Sequence, residues 1–220
     1  GGQPLLAEIN FSVFYPSNLL YLILPLYTAF NLITIGHLIL GAAGAYCLGR
    51  FIGLSVLSSL LCGIIFSCCG YSLSLLNFPK GTLAHAYIPW LTVIWHRFLL
   101  EKNFRWFFLC VLLGVLQIFA GVPEWTLIIF LLMLVWSVAY PYQVSMPRRI
   151  IGLILLGIII ILCSAIQLIP SLEMVAVSSR GQQNSFDSFA VWSLHFERVP
   201  EIILPNFLGR IDTISSGDYW

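Results

Sequence analysis

The sequence predicts an all-α fold: a polytopic transmembrane helical bundle of about six spans plus a short interfacial helix. Three observations carry that expectation. First, 60% of the 220 residues are hydrophobic and 9% are charged, with a mean hydropathy of +0.96. A soluble domain carries about 25% charged residues, so this chain cannot build a water-facing surface over most of its length and lipid must take that place. Second, the formal charges are far apart. Uncharged runs cover 9–49, 51–79, 81–96, 106–123, 125–147 and 150–172, and about 20 apolar residues suffice to cross ~30 Å of hydrocarbon. Third, these runs are unbroken rather than alternating, which argues against a membrane β-barrel.

The spans are expected near 27–49, 54–76, 82–100, 105–121, 124–141 and 149–169. Ahead of them, residues 17–25 are too short to cross a bilayer once Pro25 interrupts the run. After Pro16, a short interfacial or re-entrant helix is expected there, capped by Ser17 or Asn18, with Tyr15 and Tyr21 at headgroup depth. Three regions follow: a loop with its interfacial helix over 1–26, six helices over 27–170, and a final segment over 171–220.

Basic residues orient the bundle. Arg50, Arg97, Lys102, Arg105, Arg148 and Arg149 fall in the turns of one side, while the opposite short turns hold only Lys80. The positive-inside rule makes the first side cytoplasmic, with its cations and aromatic residues anchoring headgroups. The opening loop, the turns near 77–82 and 121–124, and the segment after about 170 are then extracytoplasmic. Gly41, Ala45 and Gly49 recur at a spacing of four with Gly44 beside them, a stripe that lets helix backbones approach closely in lipid. Gly63, Gly114, Gly152 and Gly157 are expected to serve similar contacts.

Several chemistries are excluded or unsupported. A net charge of +1 leaves no nucleic-acid footprint. Cys47, Cys62, Cys68, Cys69, Cys110 and Cys163 all sit in apolar runs and read as small buried hydrophobes. No Cys/His spacing fits zinc, and there is no Walker loop, Gly-x-Ser-x-Gly, His-Glu-x-x-His or Asp-x-Asp. No cofactor is indicated, and a divalent metal is an open option with no ligand set behind it.

Candidate polar groups collect instead on the predicted outer face. Gln3 and Glu8 lie in the opening loop, Lys80 and His85 before and within the third span, and Glu124 at the head of the fifth. In Gly121-Val122-Pro123-Glu124, proline suits a helix start and the carboxylate complements the positive end of the helix dipole. Gln167 and Glu173 flank Pro170, whose missing N–H frees a backbone carbonyl that protein or water must satisfy, so a polar cavity is expected there. Arg180 and His195 follow in the last segment, and an Arg fork suits a lipid phosphate. His37, deep in the first span, is expected to be neutral and bonded to a neighbouring helix, with no ionisable partner evident at its depth.

Taken in order, Gly1-Gly2-Gln3-Pro4-Leu5, Phe14-Tyr15-Pro16-Ser17-Asn18-Leu19-Leu20, His37-Leu38 with the Gly41–Arg50 stretch, Pro89-Trp90, Gly121-Val122-Pro123-Glu124, Gln167-Leu168-Ile169-Pro170 with Glu173, Ser178-Ser179-Arg180, Ser193-Leu194-His195 and Leu204-Pro205-Asn206-Phe207-Leu208-Gly209 resemble the YfhO-like bacterial membrane proteins of the GT-C glycosyltransferase superfamily. The pieces run along nearly the whole chain. The resemblance implies a multi-pass enzyme of the bacterial cytoplasmic membrane. It would take a sugar from a polyprenyl-phosphate carrier on the outer face and pass it to an envelope polymer such as a teichoic acid. It also implies a catalytic acid in the first outer loop. The chain opens without an initiator Met inside what resembles that loop, so the main acidic residue is expected upstream of Gly1 and further helices beyond Trp220, and the piece alone is not expected to be active. Glu8 is the one carboxylate in the loop and the candidate base within it. Two other readings stay open: a lipid or solute transporter or flippase, which broken helices would suit, and a noncatalytic membrane scaffold.

Overall fold

The computed structural model describes residues 4–178 and 199–200. Among these the chain is helical throughout and forms no strand. It divides into two units, Gly1–Met174 and Val175–Trp220, and the bundle packing belongs to the first. The helices are α1 (Leu20–Ile23), α2 (Leu26–Phe51), α3 (Val56–Cys68), α4 (Gly70–Ser74), α5 (Pro79–His85), α6 (Ile88–Glu101), α7 (Phe104–Phe119), α8 (Glu124–Ala139), α9 (Met146–Cys163) and α10 (Ala165–Val177). Three stretches are long and apolar enough to cross a membrane: Leu26–Phe51, Val56–Asn77 and Met146–Cys163. Phe104–Phe119, Glu124–Ala139 and Ala165–Val177 are apolar but shorter.

Three of the expected spans are broken, each for a local reason. The second breaks at Cys69, whose backbone is extended; the Ser72 hydroxyl turns back to donate to the Phe66 carbonyl near the break. The third breaks between α5 and α6, where Pro89 at the head of α6 has no N–H to continue the α5 ladder. The sixth steps at Ser164 and then continues through Pro170 to Val177, past the boundary expected at 170. The interfacial helix is also shorter than expected. A 3₁₀ turn over Pro16–Leu19 leads into α1, which stops at Leu24 because the residue before Pro25 is driven to extended geometry. Neither Ser17 nor Asn18 caps it; the Asn18 amide donates to the Ser12 carbonyl at 2.6 Å.

The exterior of the bundle is apolar, and polar side chains are buried among the apolar residues of its interior. Tyr27 is 83% exposed and Leu127 74%, whereas Ser59, Thr92, His96, Gln117 and Ser137 are buried. An apolar exterior with its few polar side chains turned inward is compatible with lipid as solvent, because those side chains then pair with one another or with backbone. Cys68 and Cys163 follow the same logic: they are exposed on outward surfaces rather than buried, while Cys110 is in the core, and all six thiols are free.

Small residues set the closest approaches. A Cβ on Gly63 would lie 2.8 Å from the Ala42 carbonyl oxygen, and one on Gly44 would lie 2.7 Å from the Trp90 ring, so α3 and the α6 start seat directly on the α2 stripe. The buried core is centred on Trp95, whose indole N–H donates to Ser137 Oγ at 2.8 Å, with Leu91, Ile129, Met133, Leu156 and Ile160 around it.

Side-chain contacts join the helix ends into two clusters. At one end His96 stands edge-on to Phe51, Tyr140 and Tyr142, and two of the six basic residues assigned to one side, Arg97 and Arg149, lie over rings of this group. At the other end the opening loop meets the α7–α8 turn and α10. Arg149 departs from the role of headgroup anchor. It is 7% exposed and donates to four backbone carbonyls around the end of α8.

Candidate functional site

The opening loop is held by three anchors. Pro4 begins a turn whose carbonyl accepts from Ala7 N and Glu8 N, and a 3₁₀ turn follows over Ile9–Phe11. Ser12 then takes a left-handed conformation (φ 52°), which points its buried hydroxyl at the Ala120 carbonyl, 2.9 Å away. Gly121 receives the loop: its φ is +95°, and a Cβ there would sit 2.7 Å from Ser12 Oγ and 2.9 Å from the Ile9 carbonyl oxygen. The second anchor is Gln167, 1% exposed, whose amide donates to the Leu6 carbonyl at 2.9 Å and to Ser171 Oγ at 3.3 Å.

The third anchor is Tyr15. Expected at headgroup depth, it is instead buried, because its hydroxyl finds two interior partners, His37 Nε2 and the Tyr87 hydroxyl at 2.7 Å. His37 Nδ1 donates to the Ile33 carbonyl at 2.6 Å. In the neutral ring Nε2 is then the acceptor, so Tyr15 donates to it and accepts from Tyr87. His37 therefore bonds the loop through the Tyr15 phenol rather than a neighbouring helix, and Tyr87 joins the chain through Tyr15. Burial, then the neighbouring Tyr87, pushes the Tyr15 phenol well above the ordinary tyrosine range, so it stays protonated.

These anchors position Glu8, Asn10 and Lys80. The Asn10 amide donates to Glu8 Oε1 at 2.7 Å. Lys80 stands on the first turn of α5 with its Nζ 5.9 Å from the centre of the Phe11 ring. Desolvation lowers the Lys80 pKa from the ordinary 10.5, and the Glu8 charge acts in the opposite sense. Asn10 and Phe11 separate two open cavities. One, of about 380 Å³, is lined by Lys80, Asn18 and Thr34. The other, of about 440 Å³, is lined by Glu8, Pro4 and Met174. A carboxylate with a fixed hydrogen-bond partner and a partly desolvated ammonium thus border neighbouring cavities on either side of Asn10 and Phe11. Such a pair can accept a proton on one side and hold an anionic oxygen on the other.

The chain matches no family model, no curated protein and no solved structure.

The other sequence-nominated residues are more dispersed. His85 is buried in an aromatic box, stacked on Phe66 at 4.3 Å and edge-on to Tyr71 and Trp125. Its Nε2 lies 3.0 Å from Ser72 Oγ. Since that hydroxyl donates to the Phe66 carbonyl, it accepts from His85, which fixes the ring's orientation. Glu124 is the first residue of α8 and exposed, with Pro123 just before it, as the dipole argument expects. Glu173 is exposed on α10. Neither carboxylate makes a hydrogen bond or ion pair among the described residues. Gln167 is committed to the loop backbone, and the polar cavity expected near it opens instead beside Glu8 and Met174. Gln3, Arg180 and His195 lie outside the described residues. Among the described residues no cluster of three His, Cys, Asp or Glu side chains could hold a metal.

Proposed function

We propose that this chain belongs to a multi-pass, GT-C-like glycosyltransferase of the bacterial cytoplasmic membrane, with about six spans and its opening loop and final segment on the extracytoplasmic face. The donor is a polyprenyl-phosphate sugar and the acceptor a hydroxyl of an envelope glycan or teichoic-acid-type polymer. The observation that carries this reading is the pair of adjoining cavities, one bordered by Glu8 and the other by Lys80, that meet at Asn10 and Phe11 of a loop tied down at three points. The ordered pieces of sequence resembling the YfhO-like proteins agree with it. So does an apolar cavity of about 480 Å³ between α8 and α9, bordered by Glu124 and Leu168 and suited to an isoprenoid chain.

In the reaction the acceptor oxygen attacks the anomeric carbon while the bond from that carbon to the phosphate oxygen breaks. Glu8 takes the acceptor proton, with Asn10 orienting its carboxylate, and Lys80 stabilises the departing polyprenyl phosphate. Glu8→Gln is expected to lower turnover about a hundredfold, the scale of a lost general base, with donor affinity changed far less. Lys80→Gln is expected to weaken donor binding. Transfer of labelled sugar from polyprenyl-phosphate sugar by membranes holding the protein measures both. Absence of any transfer, together with an unchanged envelope glycan in both variants, would reject the reading.

Donor binding also has a predicted pH limb. Lys80 is charged below its lowered pKa and neutral above it, so phosphate affinity is full at low pH and falls as pH rises through a value below 10.5. Glu8→Gln removes the charge that holds this value up, so the limb moves to lower pH. A titration of donor binding that leaves the limb unmoved would contradict the coupling of the two side chains.

A further inference from the structure

A larger cavity lies elsewhere, at the basic end of the bundle. It is a groove of about 810 Å³ whose floor is α6 and whose walls are α2 and α7. Leu40, Ile94, Leu109, Leu113 and Leu116 make most of its lining apolar. The Trp90 indole N–H is spent on the Leu40 carbonyl at 2.8 Å, so its ring adds only apolar surface. Among the described residues no acidic side chain lines the groove, and the two charges that do are positive.

Those charges are Arg50 and Arg97, one at the end of α2 and one in the last turns of α6. Arg97 is half-buried against two aromatic rings, its guanidinium carbon 4.8 Å from the centres of both Phe51 and Trp106. The two ring contacts restrain the guanidinium and spend none of its N–H donors on a hydrogen bond. Trp106 is itself fixed by its N–H bond to Glu101 Oε2 at 2.6 Å. Arg97 makes no hydrogen bond to any described residue. Arg50 is exposed and spends one nitrogen, Nη1, on the Leu54 carbonyl at 2.7 Å. The groove therefore pairs a long apolar channel with a cationic mouth in which neither arginine forms an ion pair among the described residues, the nearby Glu101 carboxylate being bonded to Trp106.

We infer that this groove is a binding site for one anionic phospholipid, its phosphate held by Arg50 and Arg97 and an acyl chain laid along Leu109, Leu113 and Leu116. The charge pattern selects this occupant. A zwitterionic lipid brings its own cation to a mouth that already has two, whereas an anionic headgroup brings only the missing negative charge. The restrained Arg97 guanidinium gives bidentate contact with phosphate oxygens, which a mobile surface lysine does not. The site lies in the end cluster opposite to the one containing Glu8 and Lys80, so it does not depend on the glycosyl-transfer reading.

The test is retention of phosphatidylglycerol against phosphatidylethanolamine by the full chain, purified from membranes of equal composition and weighed by native mass spectrometry. Phosphatidylglycerol is expected to be retained selectively at one molecule per chain. Arg50→Gln with Arg97→Gln is expected to reduce that retention by about tenfold or more, the scale of two lost charge-assisted contacts. Arg50 is exposed, so Arg50→Gln alone tests the headgroup contact in a folded protein, and an unchanged unfolding temperature confirms the fold. Leu113→Trp fills the channel with both arginines intact and is expected to reduce retention as well. Arg105→Gln, exposed and outside the groove, is expected to leave it unchanged. Equal retention of the two lipids, an Arg105→Gln loss matching that of the arginine pair, or full retention in Leu113→Trp overturns the proposal. The last would mean that surface charge alone captures the headgroup.

Discussion

Arg149→Gln is expected to destabilise the bundle by about 3–5 kcal/mol, the largest effect of any single substitution at the basic end. The reason begins in the sequence. Pro141 has no N–H, so the Ser137 carbonyl, four residues earlier, loses the donor that would continue α8. Arg149 supplies it, with Nη1 2.6 Å from that oxygen and 3.2 Å from the Tyr140 carbonyl. Its Nε reaches the Val144 carbonyl at 2.7 Å and its Nη2 the Tyr142 carbonyl at 2.7 Å. One guanidinium thus closes the end of α8, shapes the turn into α9, and places a cation at the negative end of a helix dipole. Glutamine has too short a reach and too few donors to replace it. Lysine keeps the charge without the planar fork and is expected to recover only part of the loss. Arg148, its exposed neighbour, provides the control: Arg148→Gln should leave the unfolding temperature in detergent unchanged. Equal stability of the Arg149 and Arg148 variants would refute the role.

Gly121→Val is expected to detach the opening loop, with a loss of roughly 2–5 kcal/mol from backbone strain and overpacking together. At φ +95° a β-branched residue is strongly disfavoured, and the new Cβ would overlap Ser12 Oγ at 2.7 Å and the Ile9 carbonyl oxygen at 2.9 Å. The backbone oxygen cannot move aside as a flexible side-chain tip would, so either the turn or the loop must shift. Amide exchange over residues 4–19 should accelerate, and any activity that uses Glu8 should fall with it. Gly36, where an added Cβ meets nothing within 4 Å, should accept alanine without either change. Native-like exchange in the loop of Gly121→Val would show that the α7–α8 turn does not anchor it.

Both predictions rest on features that are only half visible in sequence. Pro141 and Arg149 can each be read off the chain, yet nothing in their spacing says that one repairs what the other removes. Gly121 stands in a turn next to Pro123, but its need for glycine comes from Ser12 and Ile9, more than a hundred positions earlier. The uncharged runs did locate the helical regions, and Gly41, Ala45 and Gly49 did mark a close-packed face. Run length could not reveal the breaks at Cys69, between α5 and α6, and at Ser164. Apolarity is blind to a proline at a helix head or to a serine that turns back on its own backbone.

The candidate site divides in the same way. Glu8 and Lys80 could be nominated separately as rare charges in apolar sequence, and so could His37 as a polar residue at depth. Their partners were concealed: Tyr15 looked like an interfacial aromatic, Tyr87 lay inside an apolar run, and Gln167 looked like a ligand rather than a tie to the Leu6 carbonyl. Arg97 was one of several basic residues with no sign that two rings would hold it. By itself, the sequence determined the helical class and the apolar exterior, because both follow from summed apolarity and the distance between charges. Only the tertiary structure decided which polar groups meet, since hydrogen bonds and ring contacts act over a few ångströms and unite residues that the chain keeps far apart.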